Sequence, residues 1–145
     1  MLVGAGGNAG NQSAIRVIRG LATGRLRSTS ADAASELRRE AAVALVLGGA
    51  LALGGFARVY ATQGSVVDAV AISAALMCIV VASVVLGTAL PFGLARLGAD
   101  PANAGTSIQV VMDVLGVATT CVVVTAVLDN PWVVSALEGV GGGLG

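Results

Sequence analysis

Three long apolar runs alternate with short polar segments along the chain. They cover residues 41–61, 66–90 and 108–128 and consist mainly of Ala, Val, Leu, Ile and Gly. A helix of about twenty residues, rising about 1.5 Å per residue, crosses the roughly 30 Å hydrocarbon core of a bilayer. The pattern therefore predicts three transmembrane helices in an all-α, polytopic membrane helix bundle.

The composition supports this interpretation. Of 145 residues, 56% are hydrophobic and 11% are charged, whereas a soluble domain carries about 25% charged residues. A soluble bundle with three fully buried helices would need a large protein around it, and little sequence remains to supply one. The net charge of +0 gives no reason to expect nucleic acid. The absence of His and the two distant Cys exclude a zinc site of the usual spacing.

Arginines set the predicted orientation. Six of the eight basic residues lie in residues 13–40, so the positive-inside rule places this connector in the cytosol or an equivalent compartment. Within residues 15–23, apolar and polar side chains fall on different faces of a predicted short amphipathic helix. Thr29 and Asp32 are predicted to form a capping pair for the next helix. Residues 91–107 are predicted as a cytosolic-side loop and residues 129–145 as a flexible tail. The prediction is a multi-pass protein of a plasma membrane or an organelle membrane such as that of a plastid.

Asp113 is the only acidic residue in the last apolar run. A charged Asp in mid-membrane costs about 2.5–3.5 kcal/mol on insertion scales, so such residues face a bundle interior or water. It lies on a helical stripe of polar or small residues, suited to a pore-lining helix: Thr106, Gln109, Asp113, Gly116 and Thr120. The alternative is a protonated Asp113 that only hydrogen-bonds between helices.

Residues 1–12 are predicted to be the end of another transmembrane helix. Gly6 and Gly10 have the spacing of close helix packing, while Asn8 and Asn11 offer amide oxygens to a hydrated cation. A relaxed dinucleotide fingerprint also fits here, but it requires a β-sheet that the sequence does not predict. With no nucleophile–base pair or cofactor motif, an enzyme is not expected.

Asp100, followed by Pro101, has two interpretations. The pair is a favourable helix start, with Asp at the N-cap and Pro at the first helical position. Alternatively, Asp100 supplies a carboxylate at the inner mouth of a cation path.

Together these features resemble the transmembrane domain of the MgtE family of magnesium channels and transporters, which is related to solute carrier family 41. Four stretches carry the likeness, in the family's order: residues 6–13, 18–24, 90–92, and 97–102 running on to 113–116. The Gly-Asn-Ala-Gly-Asn-Gln element within residues 7–12 is the most specific. The likeness covers nearly the whole chain.

The resemblance implies five transmembrane helices per subunit and a homodimer with a central pore. It implies that Asp113 is the pore acid that holds largely hydrated Mg²⁺, with Asn11, and also Asn8, as candidate polar neighbours. Asp100 resembles an acid at the cytosolic mouth that binds regulatory Mg²⁺. The family's first helix, most of its second helix and its cytosolic regulatory domains have no counterpart in these 145 residues, so the bundle is expected to be incomplete at its N-terminus.

The chemistry agrees with a magnesium site. Mg²⁺ gives up its waters reluctantly and is usually held by one or two carboxylates. The predicted function is Mg²⁺ transport through a dimeric pore. The alternative is a non-transporting membrane scaffold or subunit in which Asp113 only bridges helices.

Overall fold

The fold is known from a computed structural model, which describes residues 2–101 and 105–141, with side chains for 4–101 and 109–139. This part of the chain forms helices α1 (Leu2–Ala22), α2 (Ser30–Gln63), α3 (Val66–Arg96), α4 (Gly105–Leu128) and α5 (Pro131–Gly141). It contains no strand. The prediction of an all-α bundle is confirmed.

Helices α2, α3 and α4 are each long and apolar enough to cross a membrane. Helix α2 begins well before its apolar run because Thr29 caps it: the Thr29 hydroxyl accepts a hydrogen bond from Asp32 N at 3.2 Å. That capping prediction is confirmed. Gly64, with a φ of 69°, ends α2, and Ser65 caps α3 immediately afterwards. A two-residue turn therefore makes α2 and α3 an antiparallel hairpin.

Helix α3 is the centre of the bundle. It packs against α1, α2 and α4, and it contributes most of the buried core, including Leu76, Ile79 and Val80. Small residues let its neighbours approach closely, as expected where helices pack in a membrane. A Cβ on Gly48 of α2 would lie 2.7 Å from Met77 Sδ, and one on Gly55 would lie 2.5 Å from Leu76 Cδ1.

The connector differs from the sequence-based expectation. Helix α1 runs unbroken to Ala22 instead of ending near residue 12 and giving way to a separate amphipathic helix. Its second half packs into the bundle, because Ala14 and Val17 are buried while Ile15 is 41% exposed. A continuous helix satisfies every internal backbone group and still buries this small apolar stripe.

Two further boundaries also differ. Helix α3 continues through Pro91 to Arg96 and α4 begins at Gly105, so the loop predicted over residues 91–107 is confined to the residues between them. Residues 131–141 form helix α5 instead of a flexible tail, and Asn130 Oδ1 accepts a hydrogen bond from Trp132 N at its start. Asn before Pro is a favourable helix start, which the Gly-rich sequence beyond it obscured.

The end of α3 returns to the basic connector. Arg96 Nε donates a hydrogen bond of 3.1 Å to the Ser28 carbonyl, just before α2 begins. The arginine-rich residues and Arg96 therefore lie at one end of the bundle, as the orientation argument requires.

Candidate functional site

Asp113 lies where α4 meets α1. Its Oδ1 accepts a hydrogen bond of 3.0 Å from Gln109 Nε2, one turn earlier on the same helix. Gly7 of α1 lies directly against this pair: a Cβ there would be 2.8 Å from Gln109 Nε2 and 3.2 Å from Asp113 Oδ1. The absence of a side chain at Gly7 therefore lets the α1 backbone approach the two polar groups.

Asp113 is half-buried and borders an open cavity of about 480 Å³, whose other walls are Val114, Val117 and Ala118. The neighbouring Met112 is fully buried and packs in a cluster with Ala14, Leu86 and Leu90. Asp113 thus stands at the edge between the packed side of α4 and an open apolar face. One side of the carboxylate is held by the bundle, and the other borders space outside it.

The structure describes the side chains of the polar stripe on α4 from Gln109 onward. Gly116 is buried, and the half-buried Thr120 hydroxyl donates a hydrogen bond of 2.7 Å back to the Gly116 carbonyl. Gln109 is half-buried and oriented by Asp113. The side chain of Thr106 lies outside the described residues, although its backbone belongs to α4.

The two asparagines of the Gly/Asn element lie on different sides of α1. Asn11 follows Gly7 by four positions and precedes Ala14 by three, so it shares the α1 face that meets α4. It is half-buried. Asn8 is exposed and lines a separate groove toward α2. The structure therefore places Asn11 on the side of Asp113, and it does not bring Asn8 there.

Asp100 belongs to a different place. It is exposed and lines a cavity of 330 Å³ at the C-terminal end of α1, with Ile18 and Leu21 among the walls. Ile18 lies eleven positions after Gly7, which is about 16 Å along a helix at 1.5 Å per residue. Asp100 and Asp113 are consequently not two ligands of one ion.

Two buried carboxylates of α2, Glu36 and Glu40, were not predicted from the sequence. Glu40 is 1% exposed, although it stands just before an apolar run. Its carboxylate accepts a hydrogen bond of 2.7 Å from Ser13 Oγ and pairs with Arg16 at 3.0 Å. In the sequence, Glu40 stands at a membrane boundary, and Ser13 and Arg16 lie three positions apart on another helix. Only the fold shows that the three side chains meet.

The potential metal ligands around Asp113 suit an ion that keeps its waters better than an ion coordinated by protein atoms alone. Among the described residues, no group of three or more His, Cys, Asp or Glu side chains comes together. One carboxylate with neighbouring amides matches the habit of Mg²⁺, which keeps most of its waters.

The comparisons with known proteins agree with this architecture. The family model MgtE, described as "Divalent cation transporter", matches residues 1–123. The chain is also 39% identical over 102 residues to the magnesium transporter MgtE of Thermus thermophilus, covering 70% of this chain and 22% of that protein. It thus spans about a fifth of the relative's length. With its apolar helices and this match over most of its residues, the chain is a membrane protein that belongs to the MgtE family of divalent cation transporters.

Proposed function

We propose that this chain forms part of a dimeric pore that carries Mg²⁺ across a membrane, with Asp113 holding the hydrated ion. The observation that carries the proposal is the contact of Gly7 with Gln109 and Asp113 between α1 and α4. It gives the only acidic residue of the last span a fixed position beside polar groups and open space. The free-energy cost of a charged carboxylate inside the membrane is offset there only if the carboxylate contacts water or a cation.

The hydrogen bonding of Asp113 supports an ion-binding role. Its partner is Gln109 of the same helix, and within the described residues it makes no hydrogen bond to α1 or α3. The Gln109 amide orients Oδ1, and no cross-helix hydrogen bond within the described residues occupies Oδ2. A carboxylate that acted only to join helices would be expected to bond across them.

A two-fold axis beside α4 would complete the site. The Asp113 cavity opens on an apolar α4 face where Val114 is 63% and Val117 is 54% exposed. A second copy would double the carboxylate and bring two Asn11 amides near the same path. Two carboxylates with retained water are the usual means of holding Mg²⁺.

The relative's name supports Mg²⁺ as the cargo, since the Thermus thermophilus protein is a magnesium transporter. Asp100 is proposed as a separate acid at the cytosolic mouth, where a regulatory Mg²⁺ would bind. Its place beside the arginine-rich end of the bundle fits that position.

Growth of Mg²⁺-starved cells that lack their own uptake system tests the function. The parent protein is expected to restore growth at low Mg²⁺, and Asp113→Asn is expected to abolish it while reaching the membrane in equal amount. Asp129→Asn, an acid just beyond α4, is the control and should retain growth. If Asp113→Asn restores growth as well as the parent, the pore-acid proposal is wrong.

A non-transporting scaffold is the second candidate. It would use Asp113 only as a structural polar group, and the Gln109–Asp113 bond within one helix gives it little support. Under this alternative neither variant would change growth at low Mg²⁺, because the parent itself would fail to restore it.

A further inference from the structure

Four arginines meet in one pocket at the cytosolic end of the bundle. The pocket has a volume of 310 Å³ and lies between the end of α1, the connector and the start of α2. We call it the basic pocket. Its lining residues are Arg16, Arg19, Gly20, Thr23, Arg25 and Arg39.

The local fold brings the connector arginine back over α1. Gly24, with a φ of 72°, reverses the chain, and Leu26 N donates a hydrogen bond of 2.9 Å to the Gly20 carbonyl. Arg25 NH2 then lies 3.3 Å from where a Cβ on Gly20 would be. The last α1 carbonyls are already used by these bonds and by Thr23, whose N–H bonds to the Arg19 carbonyl at 3.0 Å. They therefore add little negative potential to the pocket.

Two acidic side chains neutralise only part of this charge. Glu40 pairs with Arg16 at 3.0 Å, and Glu36 lies 3.9 Å from Arg25 and 3.7 Å from Arg39. Within the described residues Arg19 makes no ion pair. Four positive charges against two negative ones leave an excess of two, and the side chains of Arg16, Arg25 and Arg39 are 50%, 57% and 63% exposed. Such a pocket favours a phosphate group, because one arginine guanidinium can donate hydrogen bonds to two phosphate oxygens at once.

A largely apolar groove, whose α1 wall also carries Asn8, Gln12 and Ser13, continues from the pocket along the membrane span. It has a volume of 380 Å³, runs between α1 and α2 over Val84 of α3, and shares Arg16 with the basic pocket. Its α2 wall is made of Val43, Leu47 and Leu51. Arg39 and Glu40 come just before the apolar run, so the pocket lies at headgroup level and the groove at acyl-chain level.

We propose that the basic pocket and this groove together bind one anionic glycerophospholipid. The phosphate lies among Arg16, Arg19 and Arg39, and one acyl chain lies along the α2 wall of the groove. Charge complementarity selects an anionic headgroup over a zwitterionic one, and basic pockets between membrane helices on the cytosolic side are suited to this. The lipid also covers a polar–apolar boundary that the described helices leave open.

Native mass spectrometry of the detergent-purified protein tests the proposal. Phosphatidylglycerol and phosphatidylcholine with identical acyl chains are added, and the bound fraction of each is compared. The parent is expected to retain phosphatidylglycerol preferentially. Each arginine near a membrane surface contributes a factor of about five to anionic lipid binding, so Arg19→Gln with Arg39→Gln should weaken retention about twenty-five-fold.

Matched variants separate the pocket and the groove from general charge and bulk. Arg38→Gln removes an exposed arginine next to Arg39 that does not line the pocket, and it should have little effect. Leu47→Trp fills the groove and should reduce retention of the intact lipid. Val46→Trp, one position away and 76% exposed outside the groove, should not.

Three results would overturn the proposal. The first is equal retention of both lipids by the parent. The second is competition by inorganic phosphate or glycerophosphoglycerol as strong as that of the intact lipid, which would identify a soluble phosphate ester as the ligand. The third is a change in oligomer mass with Leu47→Trp but not Val46→Trp, which would show that a second copy of the chain covers the groove.

Discussion

Gly10 of α1 and Gly87 of α3 touch backbone to backbone. A Cβ on Gly87 would overlap the Gly10 carbonyl, and one on Gly10 would lie 2.7 Å from the Ser83 carbonyl oxygen. Backbone atoms cannot move aside as a flexible side chain can. The two helices therefore cross at a distance that only glycine permits, and this crossing fixes how α1 presents Gly7 to α4.

Gly87→Ala is accordingly expected to lower the stability of the folded protein. Overpacking at a tight contact costs about 1–3 kcal/mol, which thermal unfolding in detergent, followed by circular dichroism, would detect. Gly93→Ala in the same helix is the control, since a Cβ there would meet nothing within 4 Å. The control should match the parent or exceed it, because Ala is the better helix former. Equal stability of the two variants would contradict the close crossing.

Much of the fold follows from the sequence because membrane spans are long and uniform. The apolar runs over residues 41–61 and 66–90 predict helices α2 and α3, and the Thr29–Asp32 capping pair predicts where α2 begins. Asp113 was identifiable for the same reason, since an acid in an apolar run is costly. The partners of Asp113 were less predictable. Gln109 follows from helical spacing, but the role of Gly7 depends on how α1 packs across α3, which periodicity does not encode.

The Gly7 contact predicts a second effect, on transport more than on folding. A Cβ at position 7 would meet flexible side-chain atoms of Gln109 and Asp113, so Gly7→Ala should displace these groups while leaving the bundle nearly as stable. Loss of groups that orient an ion ligand typically costs about tenfold or more in activity. Mg²⁺ uptake into proteoliposomes would measure it. Gly4→Ala, one turn earlier with nothing within 4 Å, should transport like the parent, and the interpretation fails if both variants do.

The buried Glu40 carboxylate predicts a stability effect independent of the pore. Ser13→Ala removes the hydroxyl that donates to Glu40 Oε2 at 2.7 Å, and an acceptor left unpaired in a buried site costs about 1–3 kcal/mol. Ser35→Ala is the comparison: its exposed hydroxyl donates only to the Asp32 carbonyl, so its removal should be nearly neutral. Thermal unfolding of both variants distinguishes a buried polar network from a general loss of hydroxyl groups. A neutral Ser13→Ala would mean that water replaces the hydroxyl.

Binding of Mg²⁺ to the folded protein should raise its stability, and removal of the ion should reverse the effect. A ligand at a hundred times its Kd stabilises by about 2.7 kcal/mol. The unfolding temperature of the parent is therefore expected to rise with millimolar Mg²⁺ and to return when EDTA is added. The Asp113→Asn and Asp100→Asn variants assign the effect, because the α1 residues beside the two acids, Gly7 and Ile18, are separated by about 16 Å along the helix. If Asp113 holds the ion, Asp113→Asn should lose most of the shift and Asp100→Asn should retain part of it. A shift that survives in Asp113→Asn but disappears in Asp100→Asn would place the ion at the cytosolic mouth and leave Asp113 without a binding role.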